Sequence, residues 1–142
     1  MIEPHHLRFM QQIGRSYRAL VAGFEAHTGL SVARWRILVL LDTHGELSQK
    51  VLAQHLAIDP AALTRQLKAL EAEGWVARSR DAHDARLTNV LLTDAGRAAV
   101  RATMVRRNEF FELALGPIPA DELDALTDTL VKLEERFTAP RS

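Results

Sequence analysis

The chain contains 142 residues, of which 47% are hydrophobic and 25% are charged, a balance typical of a globular protein of one domain. Its 18 Lys and Arg residues are offset by 18 Asp and Glu residues, so any contact with nucleic acid must come from a local cluster of cations. The lack of cysteine excludes disulfides, thiolate metal sites and sensing by cysteine oxidation.

The chain shows no sign of membrane insertion or export. No apolar run approaches the roughly 20 residues of a membrane span, and the N-terminus lacks the apolar core of a signal peptide. We therefore expect a cytoplasmic protein with no membrane partner.

The N-terminal segment is predicted to form one long helix that ends near Gly29. Its apolar residues recur at steps of three and four positions, as expected for a helix with one apolar face. These residues are Leu7, Met10, Gly14, Tyr17, Val21 and Phe24. Because a helix of this length needs a partner, we expect residues 1–29 to take part in dimerisation.

Residues 48–59 are predicted to form a short helix followed by a tight turn. Ser48 is placed to accept a hydrogen bond from the free amides at the start of this helix. Asp59 can cap the next helix in the same way, and Pro60 suits its first position because proline has no amide hydrogen to leave unsatisfied. This order predicts a helix-turn-helix.

The second helix of this motif is predicted to run from Pro60 to a stop at Gly74. Its buried stripe, with spacing i, i+4, i+7, consists of Leu63, Leu67 and Leu70. Its outward face carries Ala61, Thr64, Arg65 and Lys68. Small residues at the start would let the helix enter a DNA major groove, where Arg65 can reach guanine or a phosphate. An ordinary amphipathic helix with a solvated face would show the same pattern.

Two strand-like segments follow, at residues 75–80 and 87–92, and are predicted to pair as a hairpin. The tip between them contains Asp84 and Arg86. Arg86 could enter a narrow minor groove, and Asp84 could hold it extended through a charge-assisted hydrogen bond. Taken alone, the two residues would also fit an ordinary surface ion pair.

The C-terminal part is predicted to form two further helices separated by a break at residues 116–119. Thr93 is placed to cap the first of them, which contains Val100, Met104 and Phe111. The second has apolar residues in alternating steps of three and four, a seam like that of a coiled coil. That seam consists of Leu123, Leu126, Leu130, Leu133 and Phe137. We expect residues 98–142 to form a second dimerisation part, although these stripes could also pack within one chain.

Several of these motifs occur together in one known family. They are Leu30-Ser31 with Trp35-Arg36-Ile37-Leu38, Ile58-Asp59-Pro60, Leu63-Thr64-Arg65, Leu70-Glu71 with Gly74, Asp84-x-Arg86, and Leu92-Thr93-Asp94-Ala95-Gly96-Arg97. In this combination the chain resembles the MarR family of bacterial transcription regulators. Two positions depart from the usual pattern: Ala62 stands where Ser or Thr is frequent, and Ala85 where a second Arg is common. Each change removes a possible contact with DNA.

The resemblance implies a mostly α fold with a small antiparallel β-wing. It implies one domain over residues 1–142, in which a winged helix-turn-helix at residues 31–97 is flanked by helical dimerisation parts at residues 1–29 and 98–142. The corresponding function is that of a homodimeric, sequence-specific DNA-binding regulator, a repressor rather than an activator. Such a dimer would read half-sites of a pseudo-palindromic operator in double-stranded DNA.

Two sets of site residues follow from the pattern and the resemblance. The candidates for DNA contact are Pro60, Ala62, Thr64, Arg65, Lys68, Arg78, Arg80, Asp84 and Arg86. A small aromatic or phenolic effector is also implied, and its candidate contacts are Tyr17, Trp35, Arg36 and His44. Trp35 fits equally well as an ordinary core residue.

Other classes of function find little support in the sequence. The chain lacks a nucleophile-elbow serine motif, a phosphate-binding glycine loop and a metalloprotease motif, so we expect no enzymatic activity and no cofactor. Its six histidines show no metal-ligand spacing, so we expect no metal site. One alternative stays open, a winged-helix module that contacts protein and binds DNA weakly or not at all, because Ala62 and Ala85 offer no DNA contacts.

Overall fold

A computed structural model describes residue 1 and residues 3–140 of the chain. Its helices are α1 (Pro4–Thr28), α2 (Val32–His44), α3 (Gln49–Leu56), α4 (Pro60–Ala72), α5 (Asp94–Leu115) and α6 (Ala120–Thr138). Its strands are β1 (Leu47–Ser48), β2 (Val76–Arg80) and β3 (Thr88–Leu92). The predicted mostly α fold with a small antiparallel wing is confirmed. Residues 2, 141 and 142, which belong to the predicted terminal helical parts, lie outside the described residues.

The chain divides into two compact units, residues 1–107 and residues 108–142. The first unit contains the helix-turn-helix, the sheet and every buried apolar side chain of the residues that the structure describes. In the second unit, none of the side chains of α6 is buried. The organisation of residues 1–142 as one domain remains a prediction.

The helix-turn-helix forms where the capping residues predict it. The side chain of Ser48 accepts a hydrogen bond from the amide of Val51 at 3.2 Å, and that of Asp59 accepts one from the amide of Ala62 at 3.1 Å. Ala57 ends α3 in the left-handed conformation, with φ of 50°, and the chain turns there toward Pro60. The predicted stripe of Leu63, Leu67 and Leu70 is fully buried. Burial of this stripe fixes which face of α4 remains free.

The sheet has three strands in the order β1-β3-β2, and both pairings are antiparallel. The hairpin of β2 and β3 matches the predicted wing, except that each strand begins one residue later than predicted. Its register pairs Arg78 with Val90. Strand β1 is missing from the sequence prediction, because two residues are too few to show an alternating pattern. It pairs with β3 and so joins the start of the helix-turn-helix to the wing.

Gly96 marks a close approach between α5 and Trp75, which lies three residues beyond the end of α4. A Cβ atom at this position would overlap the backbone carbonyl oxygen of Trp75, which cannot move away as a flexible side chain would. We therefore expect Gly96→Ala to lower the free energy of unfolding by about 1–3 kcal/mol, as for other overpacked sites. Urea unfolding would measure this change. Arg101→Ala at an exposed position of α5 is the control, and an unchanged midpoint for Gly96→Ala would show that the contact is not tight.

No helix among the residues that the structure describes is both long and apolar enough to cross a bilayer.

Candidate nucleic-acid interface

The outward face of α4 presents two cationic side chains. Arg65 and Lys68 are exposed, and Pro60 is exposed at the first position of the helix. Ala62 and Thr64 are only half-exposed. The hydroxyl of Thr64 donates a hydrogen bond to the carbonyl oxygen of Pro60 at 3.0 Å and accepts one from the side-chain amide of Gln49 at 3.4 Å. The protein itself therefore occupies the Thr64 hydroxyl, whereas Arg65 and Lys68 extend into solvent.

The wing tip holds Arg86 in a fixed, exposed position. Its Nε lies 3.1 Å from Oδ1 of Asp84 and its Nη2 lies 3.2 Å from Oδ2, so the ion pair is a two-point contact. The backbone amide of Arg86 also donates to Oδ1 of Asp84, at 3.0 Å. The Arg86 side chain is nevertheless 91% exposed. The planar guanidinium is thus oriented by one edge while the rest of it stays free for an anionic partner.

Asp81 supplies a second carboxylate that holds the backbone of the wing tip in place. Asp81 accepts hydrogen bonds from the amides of His83 and Asp84 and from the side-chain amide of Asn89, at 2.8, 3.0 and 2.9 Å. The bond from Asn89 is the largest cause that holds the pKa of Asp81 below its ordinary range, and the two amides add to it. The tip is therefore built around two carboxylates, Asp81 and Asp84, whose hydrogen bonds favour the ionised form.

The pKa of Asp84 is lowered chiefly by its side-chain hydrogen bonds with Arg86, and secondly by the Arg86 amide. A carboxyl whose pKa is lower in the folded state stabilises that state above its unfolded pKa, and this contribution disappears as pH falls through the folded value. We expect the wing tip to be ordered at neutral pH and to lose this order only at a pH below the ordinary pKa of an aspartate, which is about 3.9.

Carbon-detected NMR titration of the Asp84 carboxyl checks this expectation. Its midpoint should lie below that of the same residue in a peptide of residues 80–88, and Arg86→Ala should move it toward the peptide value. Equal midpoints in protein and peptide would contradict the geometry of the tip.

The two arginines of β2 have different surroundings. Arg80 is exposed at the end of the strand next to the tip. Arg78 is only 20% exposed in its side chain, and its Nε and Nη2 donate to the carboxylate of Glu71 at 3.3 and 3.1 Å. Its Nη1 lies 3.5 Å from Oε1 of Gln49. Arg78 is thus held by contacts with α3 and α4. The other predicted cationic DNA contacts are exposed, namely Arg65, Lys68, Arg80 and Arg86.

Gln49 and Glu71 are absent from the candidates chosen by sequence. Both contact Arg78, and Gln49 also contacts Thr64. Glu71 and Arg78 lie seven positions apart on different elements, and no periodic spacing relates a helix end to a following strand. Only the tertiary structure brings these residues together.

Three of the four candidate effector contacts line one concavity of about 380 Å³ between α2 and α3. They are Trp35, Arg36 and His44, and the structure adds His55 and Leu56 from α3. Tyr17 lies elsewhere, exposed on α1. Trp35 is largely buried, with the Arg107 guanidinium carbon 5.8 Å from its ring centre, so it belongs to the core and contributes to the wall of the concavity.

The two histidines of this concavity lie close to each other. The ring centres of His44 and His55 are 5.6 Å apart. No group of three or more metal-ligating side chains occurs within residue 1 and residues 3–140. The concavity therefore combines an aromatic wall with one guanidinium and two imidazoles.

Comparisons with known proteins agree on one family. The sequence model of the MarR family matches residues 30–88. The uncharacterized HTH-type transcriptional regulator YdgJ of Bacillus subtilis is 40% identical over 114 residues, which are 80% of this chain and 70% of YdgJ.

Two solved structures extend this likeness to nearly the whole fold. A MarR variant from E. coli in complex with operator DNA has a TM-score of 0.81 at 22% identity, covering 91% of this chain and 95% of that chain. BpsR of Bordetella bronchiseptica, whose DNA binding is regulated by 6-hydroxynicotinic acid, has a TM-score of 0.76 at 26% identity, covering 89% and 98%.

Proposed function

Because this chain belongs to the MarR family of helix-turn-helix transcription regulators, we propose that it acts in the cytoplasm as a homodimeric repressor of a pseudo-palindromic operator. The observation that carries the proposal is the wing tip, where Asp84 fixes an Arg86 side chain that is 91% exposed. A guanidinium ordered in this way loses little conformational freedom when it meets the minor groove or a phosphate.

The recognition helix supplies the second part of the proposed DNA contact. Asp59 and Pro60 define its first turn, so the exposed Arg65 lies at a fixed position on the second turn. An arginine there can contact O6 and N7 of guanine with two hydrogen bonds. Lys68 and Arg80 would add contacts to phosphates, which hold the helix in register but carry no sequence information.

Dimer formation is supported by apolar surface that each protomer leaves exposed. On α6, which buries no side chain within the described residues, Leu126, Leu130, Val131 and Phe137 are all exposed. On α1 the same holds for Leu7, Met10 and Leu20. Apolar surface of this extent usually marks an interface. Two recognition helices in one dimer would read half-sites about one helical turn apart.

We further propose that an aromatic anion binds in the concavity of Trp35, Arg36 and His44 and weakens operator binding. Support comes from its composition, since a guanidinium beside an aromatic wall can bind a carboxylate and a ring together. It also comes from its location, because His55 and Leu56 belong to the first helix of the helix-turn-helix. A ligand there would contact α3, which is joined to α4 by the turn of the helix-turn-helix.

Fluorescence tests the effector part without DNA. In a Trp75→Phe variant, Trp35 is the one remaining tryptophan of the 142 residues. Titration with 6-hydroxynicotinate and related aromatic carboxylates should change its emission, and Arg36→Met should weaken that response. No response to any of these compounds would contradict an aromatic anion in this concavity.

Transcription in a purified reaction tests whether the protein acts as a repressor. A duplex that the protein enriches from random-sequence DNA would be placed across a promoter, and the protein added to a purified transcription reaction. The proposal predicts less transcript with the protein than without it. More transcript would identify an activator, and an unchanged amount would contradict regulation through this duplex.

A further inference from the structure

We propose that Arg78 is a positioning residue that joins the wing to both helices of the helix-turn-helix, and that it makes no contact with DNA itself. The proposal rests on operator binding as proposed above. It concerns how α4 and the wing, which together form the proposed DNA-reading surface, are held in position relative to each other. It separates Arg78 from Arg65, Lys68, Arg80 and Arg86, whose side chains are exposed.

The guanidinium of Arg78 bridges two elements from the middle of β2. Toward the C-terminal end of α4, its Nε and Nη2 donate to the two carboxylate oxygens of Glu71 at 3.3 and 3.1 Å. Toward the start of α3, its Nη1 lies 3.5 Å from Oε1 of Gln49. One side chain of the wing thus contacts both helices of the motif.

Gln49 extends this bridge to the other end of the recognition helix. Its Nε2 donates to the Thr64 hydroxyl at 3.4 Å, and that hydroxyl donates to the carbonyl oxygen of Pro60. The chain of contacts therefore runs from Glu71 near the end of α4, through β2 and α3, back to the first turns of α4. A shift of the wing relative to α4 would have to break several of these contacts.

The small exposure of Arg78 also argues against a DNA contact by this residue. Its donors already serve a carboxylate, and the pKa of Glu71 is held below its ordinary range chiefly by this hydrogen bonding. Arg86 is paired with Asp84 in the same two-point way, so the pairing alone does not exclude a DNA contact, and the two arginines differ in their exposure. The small exposed fraction of Arg78, 20%, leaves little of the guanidinium for a further partner.

The two roles predict opposite results for Glu71→Gln. If Arg78 binds phosphate, removal of the neighbouring negative charge leaves DNA affinity unchanged or raises it. If Arg78 positions the wing, loss of the two-point ion pair lowers affinity although the protein becomes more cationic. Arg78→Lys gives a second contrast, since a lysine binds phosphate well but cannot reproduce the forked contact with a carboxylate.

Fluorescence anisotropy on the duplex that the wild-type chain enriches from random-sequence DNA is the measurement, repeated over a series of salt concentrations. We expect Arg78→Lys and Glu71→Gln each to weaken binding by about tenfold, and the double variant to weaken it no further than either alone. In Arg78→Met, which removes the charge, the salt dependence should keep the wild-type slope, whereas loss of a phosphate contact would reduce it by about 0.9 per protomer. Glu73→Gln, at an exposed acid just after α4, is the matched control and should not weaken binding.

The proposal is overturned if Glu71→Gln binds as tightly as wild type or tighter, or if Arg78→Lys retains wild-type affinity. A wild-type chain that enriches no duplex would contradict operator binding instead. In that event hydrogen exchange of the β2 amides, measured on the free protein, decides the positioning role. Faster exchange in Arg78→Lys and Glu71→Gln but not in Glu73→Gln supports it, and unchanged exchange overturns it.

Discussion

Glutamate in place of both Leu126 and Leu130 is expected to convert the proposed dimer to monomers and to lower affinity for an inverted-repeat operator by roughly 10²- to 10⁴-fold. Both leucines are about half exposed on α6, at 52% and 49%, within a helix that buries none of its described side chains. Two carboxylates at a dimer seam would have to lose their hydration without a partner, which costs far more than the apolar contacts they replace.

Analytical ultracentrifugation measures the assembly, and anisotropy on the same samples measures operator binding. Lys132→Glu is the matched control because it changes the net charge by the same two units at an exposed position of the same helix. It should leave the dimer intact. Circular dichroism distinguishes dissociation from unfolding. A double glutamate variant that remains dimeric would contradict a dimer seam on α6.

The second large effect is expected at the residues proposed to contact DNA, Arg65 on α4 and Arg86 at the wing tip. Arg65→Ala should weaken operator binding by about 1–3 kcal/mol and relax the preference for guanine at one position of each half-site. Arg86→Ala should also weaken binding but change the preferred sequence less, because the minor groove distinguishes bases poorly. Arg65→Ala is thus expected to lose both affinity and sequence preference, and Arg86→Ala mainly affinity.

Affinity measured on the preferred duplex and on single-base variants of it separates these effects. Arg101→Ala, an exposed arginine on α5, controls for the loss of one positive charge. If Arg65→Ala and Arg86→Ala bind as the control does while remaining folded, the assignment of the reading surface is wrong, and the alternative of a winged-helix module that contacts protein gains support.

The features that sequence predicted correctly depend on neighbours in the chain. Ser48 and Asp59 cap amides three positions away, and the stripe of Leu63, Leu67 and Leu70 follows the helical period. Asp84 and Arg86 are two residues apart, so their ion pair could be proposed from spacing and is present in the structure. Local geometry is enough to predict the two caps, the ion pair and the apolar face of the helix.

The features that sequence missed depend on tertiary structure. The contacts of Arg78 join three elements, so its pairing with Glu71 and Gln49 has no signature in the sequence. The same holds for His55, which reaches the concavity of Trp35 from a separate helix. Thr64 lies on the outward face of α4 by its period, but a side chain on α3 contacts its hydroxyl. Periodicity identifies the face of a helix and not its neighbours.

Selection of bound duplexes from random-sequence DNA by the purified 142-residue chain, with Arg86→Ala in parallel, tests the central claim most directly. We predict enrichment of an inverted repeat whose half-sites are about 10 base pairs apart, with weaker enrichment by the variant. A folded, dimeric wild-type chain that enriches no sequence would contradict the account of α4 and the wing as a DNA-reading surface.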